Sequence, residues 1–391
     1  MSTADGLPFA IAGRRRALMG LALRVSLLTL VTLGLYRFWG RTRMRQWYWS
    51  SVRPGGDPLE YAGAGAEKFA GFLVAVCVLA FWLGVVNLLL MFFSLSVLAA
   101  PWLAYVLSFA LLVPVWFFAR YRARAYMLAR TRWRGIRFGM APGAWGYALR
   151  VCWHGLLTVL TLGFLWPRMT FRLEKYRTDR TYFGTARLHQ GGDWRMLMPA
   201  WGHAWLGAGF TLAALALAAT STPRMVWLAV PFGLWAVYGA VYYRVTALRL
   251  MAEAKTAEGL GLLAAPEPAR VARILGFGWL AIVLALGLPL VLAGTVLALL
   301  PFGQIGVLLA SDPANPLAVL AVGLFVLLYF GLFVLYGVLR HGLITLPLWR
   351  HYAASLTLTG AHRLTAVGQR EKAAAGEAGG LAEALDVGAA I

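Results

Sequence analysis

The 391-residue chain carries 36 Lys and Arg against 15 Asp and Glu, a formal charge of +21, yet only 13% of its residues are charged and its mean hydropathy is +0.70. Soluble domains hold roughly a quarter of charged residues, so a water-soluble protein is excluded. An excess of positive charge would point to nucleic acid in a soluble chain. Here cytoplasmic loops that retain Lys and Arg explain it, and no nucleic-acid partner is expected.

Residues 1–16 read as a cytoplasmic arm. Arg14, Arg15 and Arg16 precede an apolar stretch, 17–36, in the manner of a secretion signal. That stretch runs into Arg37, Phe38 and Trp39 instead of a small-residue cleavage site, so it is read as retained. In the next segment Arg37, Arg41 and Arg45 recur every four residues and would line one helical face. Residues 69–119 contain no Asp, Glu, Lys, Arg or His. They are long enough for a hairpin of two spans of about 20 residues each. Residues 120–139 return to the basic and aromatic pattern, with Arg130, Arg134 and Arg137 expected along another helical face beside Tyr126 and Trp133. A second short apolar segment, 143–166, contains Arg150 and His154, as 17–36 contains Arg24. Two further hairpins follow. The first, 198–243, is broken near Thr220 to Arg224, and the second, 275–339, has Asp312, Pro313 and Pro316 in its turn. The tail, 361–391, is poor in large apolar residues from Arg370 onward and is expected to be disordered.

Charge decides between two topologies. If segments 17–36 and 143–166 both crossed, Lys and Arg would divide 20 inside to 14 outside. If neither crosses, the division is 33 to Arg224 alone, the asymmetry that the positive-inside rule demands. Arg24 and Arg150 would also each cost about 2.5–3.5 kcal/mol at the centre of a span. The expected fold is therefore an all-α polytopic membrane protein of three transmembrane helical hairpins, six full spans, with two or three short interfacial or re-entrant apolar helices. Both termini would be cytoplasmic, in a bacterial inner membrane.

Ser26 to Gly34 reads SLLTLVTLG and Gly155 to Gly163 reads GLLTVLTLG, a match at six of nine positions. A weaker third copy, HGLIT, begins at His341. Three diverged repeats are expected, over 17–142, 143–270 and 271–360. In each, Thr and Gly are expected to serve close packing and local hydrogen bonds.

Catalytic patterns are lacking. There is no P-loop, dinucleotide fingerprint, His-Glu-x-x-His or paired-cysteine motif, and His154, His203 and His341 have no partner at ligand spacing. No enzyme activity, cofactor or metal is expected. Every Asp and Glu falls in a loop or tail, which disfavours a proton relay within the membrane. The basic and aromatic segments are the positive feature: arginine forks hold phosphate, and aromatic rings prefer headgroup depth. They fit contact with anionic phospholipid or another phosphate-bearing ligand, or serve only to fix topology. The alternative function is a transporter or channel with a path between the repeats, lined by Arg24, Arg150 and His154.

Residues 37–49 (RFWGRTRMRQWYW), 60–73 (EYAGAGAEKFAGFL) and 120–139 (RYRARAYMLARTRWRGIRFG), with the two TLG segments, resemble the YjgN family of bacterial inner-membrane proteins. The likeness covers about residues 7–360 and is strongest over 26–190. Ser26 and Gly155 stand where that family often has Asn, and Ala64 where it often has Thr. The resemblance implies an inner-membrane location and no established activity.

Overall fold

The computed structural model describes residues 6–97, 101–299 and 316–370. Asp312 and Pro313 of the expected third turn, and the tail 371–391, lie outside the described residues. Among the described residues six helical stretches are long and apolar enough to cross a membrane: Gly65–Ser96, Trp102–Ala129, Trp194–Thr220, Pro223–Glu253, Pro268–Leu292 and Gly323–Ala354. They are the three expected hairpins. Their outward faces are Leu, Val and Phe, exposed because the surrounding phase is lipid.

What composition does not announce is a ring of short strands from which every helix pair departs. The strands are β1 (Leu7–Ile11), β2 (Val52–Pro54), β3 (Leu59–Tyr61), β4 (Thr131–Trp133), β5 (Ile136–Met140), β6 (Thr181–Phe183), β7 (Ala186–Arg187), β8 (His189–Gln190), β9 (Lys255–Ala257), β10 (Leu260–Ala264) and β11 (Leu356–Thr359). They form two antiparallel sheets, β2-β1-β11-β10-β9-β8 and β3-β4-β5-β6-β7. The sheets are joined by the chain itself at 187–189 and 54–59. Neighbour order follows chain order, and the last strand returns to the first, with Leu7 opposite Leu358. Side chains from both sheets, including Trp133, Phe183, Leu260 and Leu358, share one apolar interior.

Two of the tight turns in the ring have a local cause. Arg134 and Gly135 have φ of +49° and +77°, and Glu258 and Gly259 have +49° and +86°. Positive φ at both central residues is the hairpin turn whose twist matches that of its strands. These turns pair Trp133 with Ile136 and Ala257 with Leu260.

Five helical excursions leave the ring and return to it. β1 leads through α1 (Arg15–Val31) and α2 (Arg37–Ser51) to β2, and β5 through α6 (Ala144–Leu160) and α7 (Trp166–Thr178) to β6. The longer excursions are α3 (Gly65–Phe81), α4 (Asn87–Ser96) and α5 (Pro101–Ala129); α8 (Met198–Thr220) and α9 (Val226–Glu253); and α10 (Pro268–Leu299), α11 (Pro316–Arg340) and α12 (Leu346–Ala354). Within the second of these, the helices approach at backbone distance. A Cβ on Gly239 would sit 2.6 Å from the Ala204 nitrogen, and one on Gly207 2.7 Å from the Ala236 nitrogen, the small-residue contact typical of membrane helices.

Because β1 and β2 are neighbours in one sheet, both arms of α1–α2 must cross the bilayer or neither does, and the same holds for α6–α7. The returning arms α2 and α7 have 15 and 13 residues. At 1.5 Å per residue they reach at most about 23 Å, short of the roughly 30 Å hydrocarbon core. They also carry Arg37, Arg41, Arg43 and Arg45 in one case and Arg168, Arg172, Lys175 and Arg177 in the other. Both excursions are therefore short hairpins outside the six candidate spans, in keeping with interfacial or re-entrant segments.

The duplicated TLG sequence builds the tip of each. Leu33 and Gly34 have φ of +50° and +93°, and Leu162 and Gly163 +48° and +84°. A leucine in the left-handed region costs roughly 1–2 kcal/mol, and hydrogen bonds compensate. Gly34 N donates to Thr29 O at 2.7 Å, and Gly163 N to Thr158 O at 2.8 Å. The Thr32 hydroxyl donates to Leu28 O at 2.7 Å and accepts from Tyr36 N at 2.9 Å, and Thr161 repeats this with Leu157 and Leu165. The threonines and glycines thus serve local bonding, as expected. The third copy behaves differently. HGLIT (His341–Thr345) is a π turn joining α11 to α12, and Leu346 and Pro347 continue the helix where a turn would need Leu-Gly. It is part of a span and forms no interfacial segment.

The expectation of a disordered tail from 361 is corrected for residues 361–370. Ala361–Ala366 is a 3-10 helix, and the chain then crosses the ring, where Thr185 N donates to Gly368 O at 2.9 Å and Arg137 N to the Gln369 side chain at 2.9 Å. Leu364 and Val367 enter the ring interior. Two apolar residues suffice to order a segment that composition alone reads as polar.

Candidate functional site

The basic side chains divide into those that other residues neutralise and those that none does. In α2 the four-residue spacing holds, but the helix rotates its arginines from lipid to core. Arg37 is exposed, Arg41 is half-buried and Arg45 is buried at 4% exposure. Arg45 donates to the Tyr61 hydroxyl at 3.3 Å and lies over the Trp49 and Tyr61 rings, and the Lys68 ammonium lies 5.2 Å from the same Tyr61 ring. Burial raises the Tyr61 phenol above its ordinary value, with Arg45 opposing it. Arg45 is thus a core residue.

Arg130, Arg134 and Arg137 do not share a helical face. The helix ends at Ala129, and the three residues fall before β4, in the β4–β5 turn and on β5. The alternation of Trp133, Ile136 and Phe138 into the ring overrides the helical reading. Arg130 pairs with Glu67 at 3.0 Å, and Arg134 with Asp57 at 2.7 Å, while Arg137 is exposed. Of the six arginines singled out in the two basic segments, Arg37, Arg134 and Arg137 are exposed, Arg134 with Asp57 as its partner.

Glu174 on α7 is the most heavily engaged carboxylate and was not singled out by sequence. Lys255 of β9 reaches it at 2.7 Å, Arg177 at 2.6 Å and Arg124 of α5 at 3.9 Å. Burial would raise its carboxyl, but Lys255, Arg177 and Arg124 outweigh burial and hold it well below the usual carboxylate range. The network ties a re-entrant hairpin, a spanning helix and the ring together. A hint was legible: Glu174 lies eleven residues after the TLG glycine, where the first copy has Arg45. Both positions are buried.

The remaining polar candidates stand on the re-entrant hairpins. Arg24 and Arg150 are exposed on α1 and α6, and His154 is half-buried on α6. A contact between the Thr158 hydroxyl and the Met169 sulfur, 3.9 Å, sets the register of α6 against α7. One turn back on α6, His154 lies within the electrostatic reach of Arg168, Arg172 and Arg150. A further turn back, Arg150 lies over the Tyr176 ring at 4.4 Å and donates to Gly146 O at 2.9 Å. The Arg180 guanidinium lies 3.7 Å from the centre of the same ring. At the tip, two indoles of α8 satisfy carbonyls that lipid could not: Trp201 donates to Gly163 O at 3.1 Å and Trp205 to Leu162 O at 3.0 Å.

Among the described residues no three His, Cys, Asp or Glu side chains converge as a metal would require, and Cys77 and Cys152 are unbridged thiols. An apolar cavity of about 230 Å³ lies within the strand ring, lined by Phe9, Trp133, Phe138, Phe183 and Leu358 among others.

No curated protein and no solved structure matches the chain. One family does, described as bacterial protein of unknown function, and it covers residues 6–382. That extent takes in the ring, both re-entrant hairpins and all three spanning hairpins, so this multi-pass membrane protein belongs to the DUF898 family, which includes the YjgN-like proteins.

Proposed function

We propose that the protein is a non-enzymatic component of the inner membrane, with the strand ring and both termini cytoplasmic, and that it engages anionic phospholipid headgroups through its arginines. The observation that carries this reading is the placement of charge. Basic residues stand where the helices join the ring and on the two re-entrant arms, while the tips of those arms expose Leu33 and Leu162. Such a profile sets guanidinium groups at headgroup depth with leucine below them. There each basic residue adds roughly 1 kcal/mol of attraction to an anionic leaflet.

Two measurements test it. In nanodiscs containing phosphatidylglycerol the purified protein melts at a higher temperature than in phosphatidylcholine alone, and the increment shrinks in high salt as screening requires. Equal melting in the two lipids would refute lipid engagement. For orientation, cysteine at Asp193, exposed beside the ring, in a chain with Cys77 and Cys152 replaced, is protected from an impermeant maleimide in intact spheroplasts. It is labelled once the membrane is broken. Labelling of intact spheroplasts would place the ring outside and reverse the topology.

A further inference from the structure

Resting on that reading, we infer that the second re-entrant hairpin holds a defined site for the phosphate of an anionic phospholipid, formed by Arg150, His154, Arg168 and Arg172. Arg150 and His154 are four residues apart on α6, and Arg168 and Arg172 are four apart on α7, so each pair lies on one face of its helix. The Thr158–Met169 contact packs α6 against α7 between the two pairs. The charges of Arg168, Arg172 and Arg150 all bear on the His154 ring, whose Nδ1 is buried without a hydrogen-bond partner among the described residues.

This cluster brings several guanidinium groups together without the carboxylate that other basic groups have. Arg130, Arg134, Arg177 and Lys255 each have a carboxylate within 3.0 Å. Among the described residues no carboxylate pairs with Arg150, Arg168 or Arg172, and the nearby acids Glu174 and Asp179 are held by Lys255, Arg177 and Lys175. Clustered guanidinium groups without a carboxylate on an element at the bilayer repel one another, and an anion bound among them relieves that repulsion. The abundant anion at that depth is a lipid phosphate, which an arginine fork can bind through two hydrogen bonds.

The site is also prepared. Arg150 is fixed by the Tyr176 ring and by the Gly146 carbonyl. A Cβ on Gly146 would lie 3.2 Å from the Arg150 guanidinium and 2.5 Å from the Tyr176 hydroxyl, so only glycine leaves this seat open. The adjoining stripe of α6, Trp145, Leu149, Trp153 and Leu156, is exposed and apolar. It offers the acyl chains of the same lipid a surface, with tryptophan at the interface.

The test uses the full chain in phosphatidylcholine nanodiscs, titrated with phosphatidylglycerol and, in a separate arm, with inorganic phosphate. The melting temperature rises with phosphatidylglycerol. The double variant Arg168→Gln and Arg172→Gln melts as the parent does in phosphatidylcholine but needs at least ten-fold more phosphatidylglycerol for half the rise. Replacing Arg37 and Arg137 with Gln changes that requirement by less than two-fold. Arg172→Lys, which keeps the charge and loses the fork, falls between. If the parent responds and the Arg168/Arg172 variant responds equally, this site is wrong while general lipid engagement stands. If the parent does not respond, both readings fail. Inorganic phosphate reproducing the full rise would overturn the lipid as occupant.

Discussion

Replacing Glu174 with Gln destabilises the protein by about 3–5 kcal/mol, the usual cost of leaving buried charge uncompensated. The carboxylate lies 2.7 Å from Lys255, 2.6 Å from Arg177 and 3.9 Å from Arg124. Glutamine retains the shape and removes the charge, so three cations are left to repel one another in a poorly solvated junction. The same network sets the response to acid. The folded carboxyl is depressed relative to the unfolded chain. Its contribution is therefore complete above the ordinary glutamate value of about 4.3 and is lost as pH falls from there toward the folded value. The expected record is a melting temperature insensitive to this group from pH 7 to 5 and falling below that, with a shallower acid limb in Glu174→Gln. An identical melting temperature at pH 7, or an unchanged acid limb, would show that the network contributes nothing to folding.

Trp133→Ala is expected to cost about 3–5 kcal/mol as well, by a different mechanism: a large core side chain is removed and the space is only partly refilled. Trp133 is 5% exposed and packs on Phe183 with ring centres 5.6 Å apart, and Phe183 in turn packs on Phe138 at 4.8 Å. The ring already carries a partly open apolar pocket of about 230 Å³, so further loss of volume falls where packing is least able to compensate. Hydrogen exchange locates the effect. Amides of β4, β5 and β6 should lose protection while those of α8 and α9, which make their own hairpin, keep theirs. Uniform loss across ring and spans would mean that the ring does not open as a separate unit.

Much of the membrane architecture was legible because its cause is local. A run such as 69–119, without one charged residue, is long and apolar enough for two spans, and the distribution of Lys and Arg favours a topology in which the two short segments do not cross. The TLG turns were legible as a repeated string, though their role emerged only with the positive φ at Leu33 and Leu162. The strands were not legible: each described strand spans two to five residues, and they pair with partners as distant as Leu7 and Leu358, too short for alternation to show. Arg130, Arg134 and Arg137 were misplaced for that reason. A three-to-four-residue spacing looks helical until an Arg-Gly turn divides it.

The candidate site shows the same division. Sequence alone singles out Arg150 and His154 as polar residues in an apolar segment, and it shows Arg168 and Arg172 as two more arginines in a basic stretch. Their convergence depends on the re-entrant turn that sets α7 against α6, and their lack of carboxylates depends on Lys255 and Arg177 having taken Glu174. Hydropathy acts residue by residue and marks the segments long and apolar enough to meet lipid. Ion pairing and strand closure act between residues far apart in the chain, so which arginine is neutralised, which is buried and which remains for a ligand follows from the folded arrangement alone.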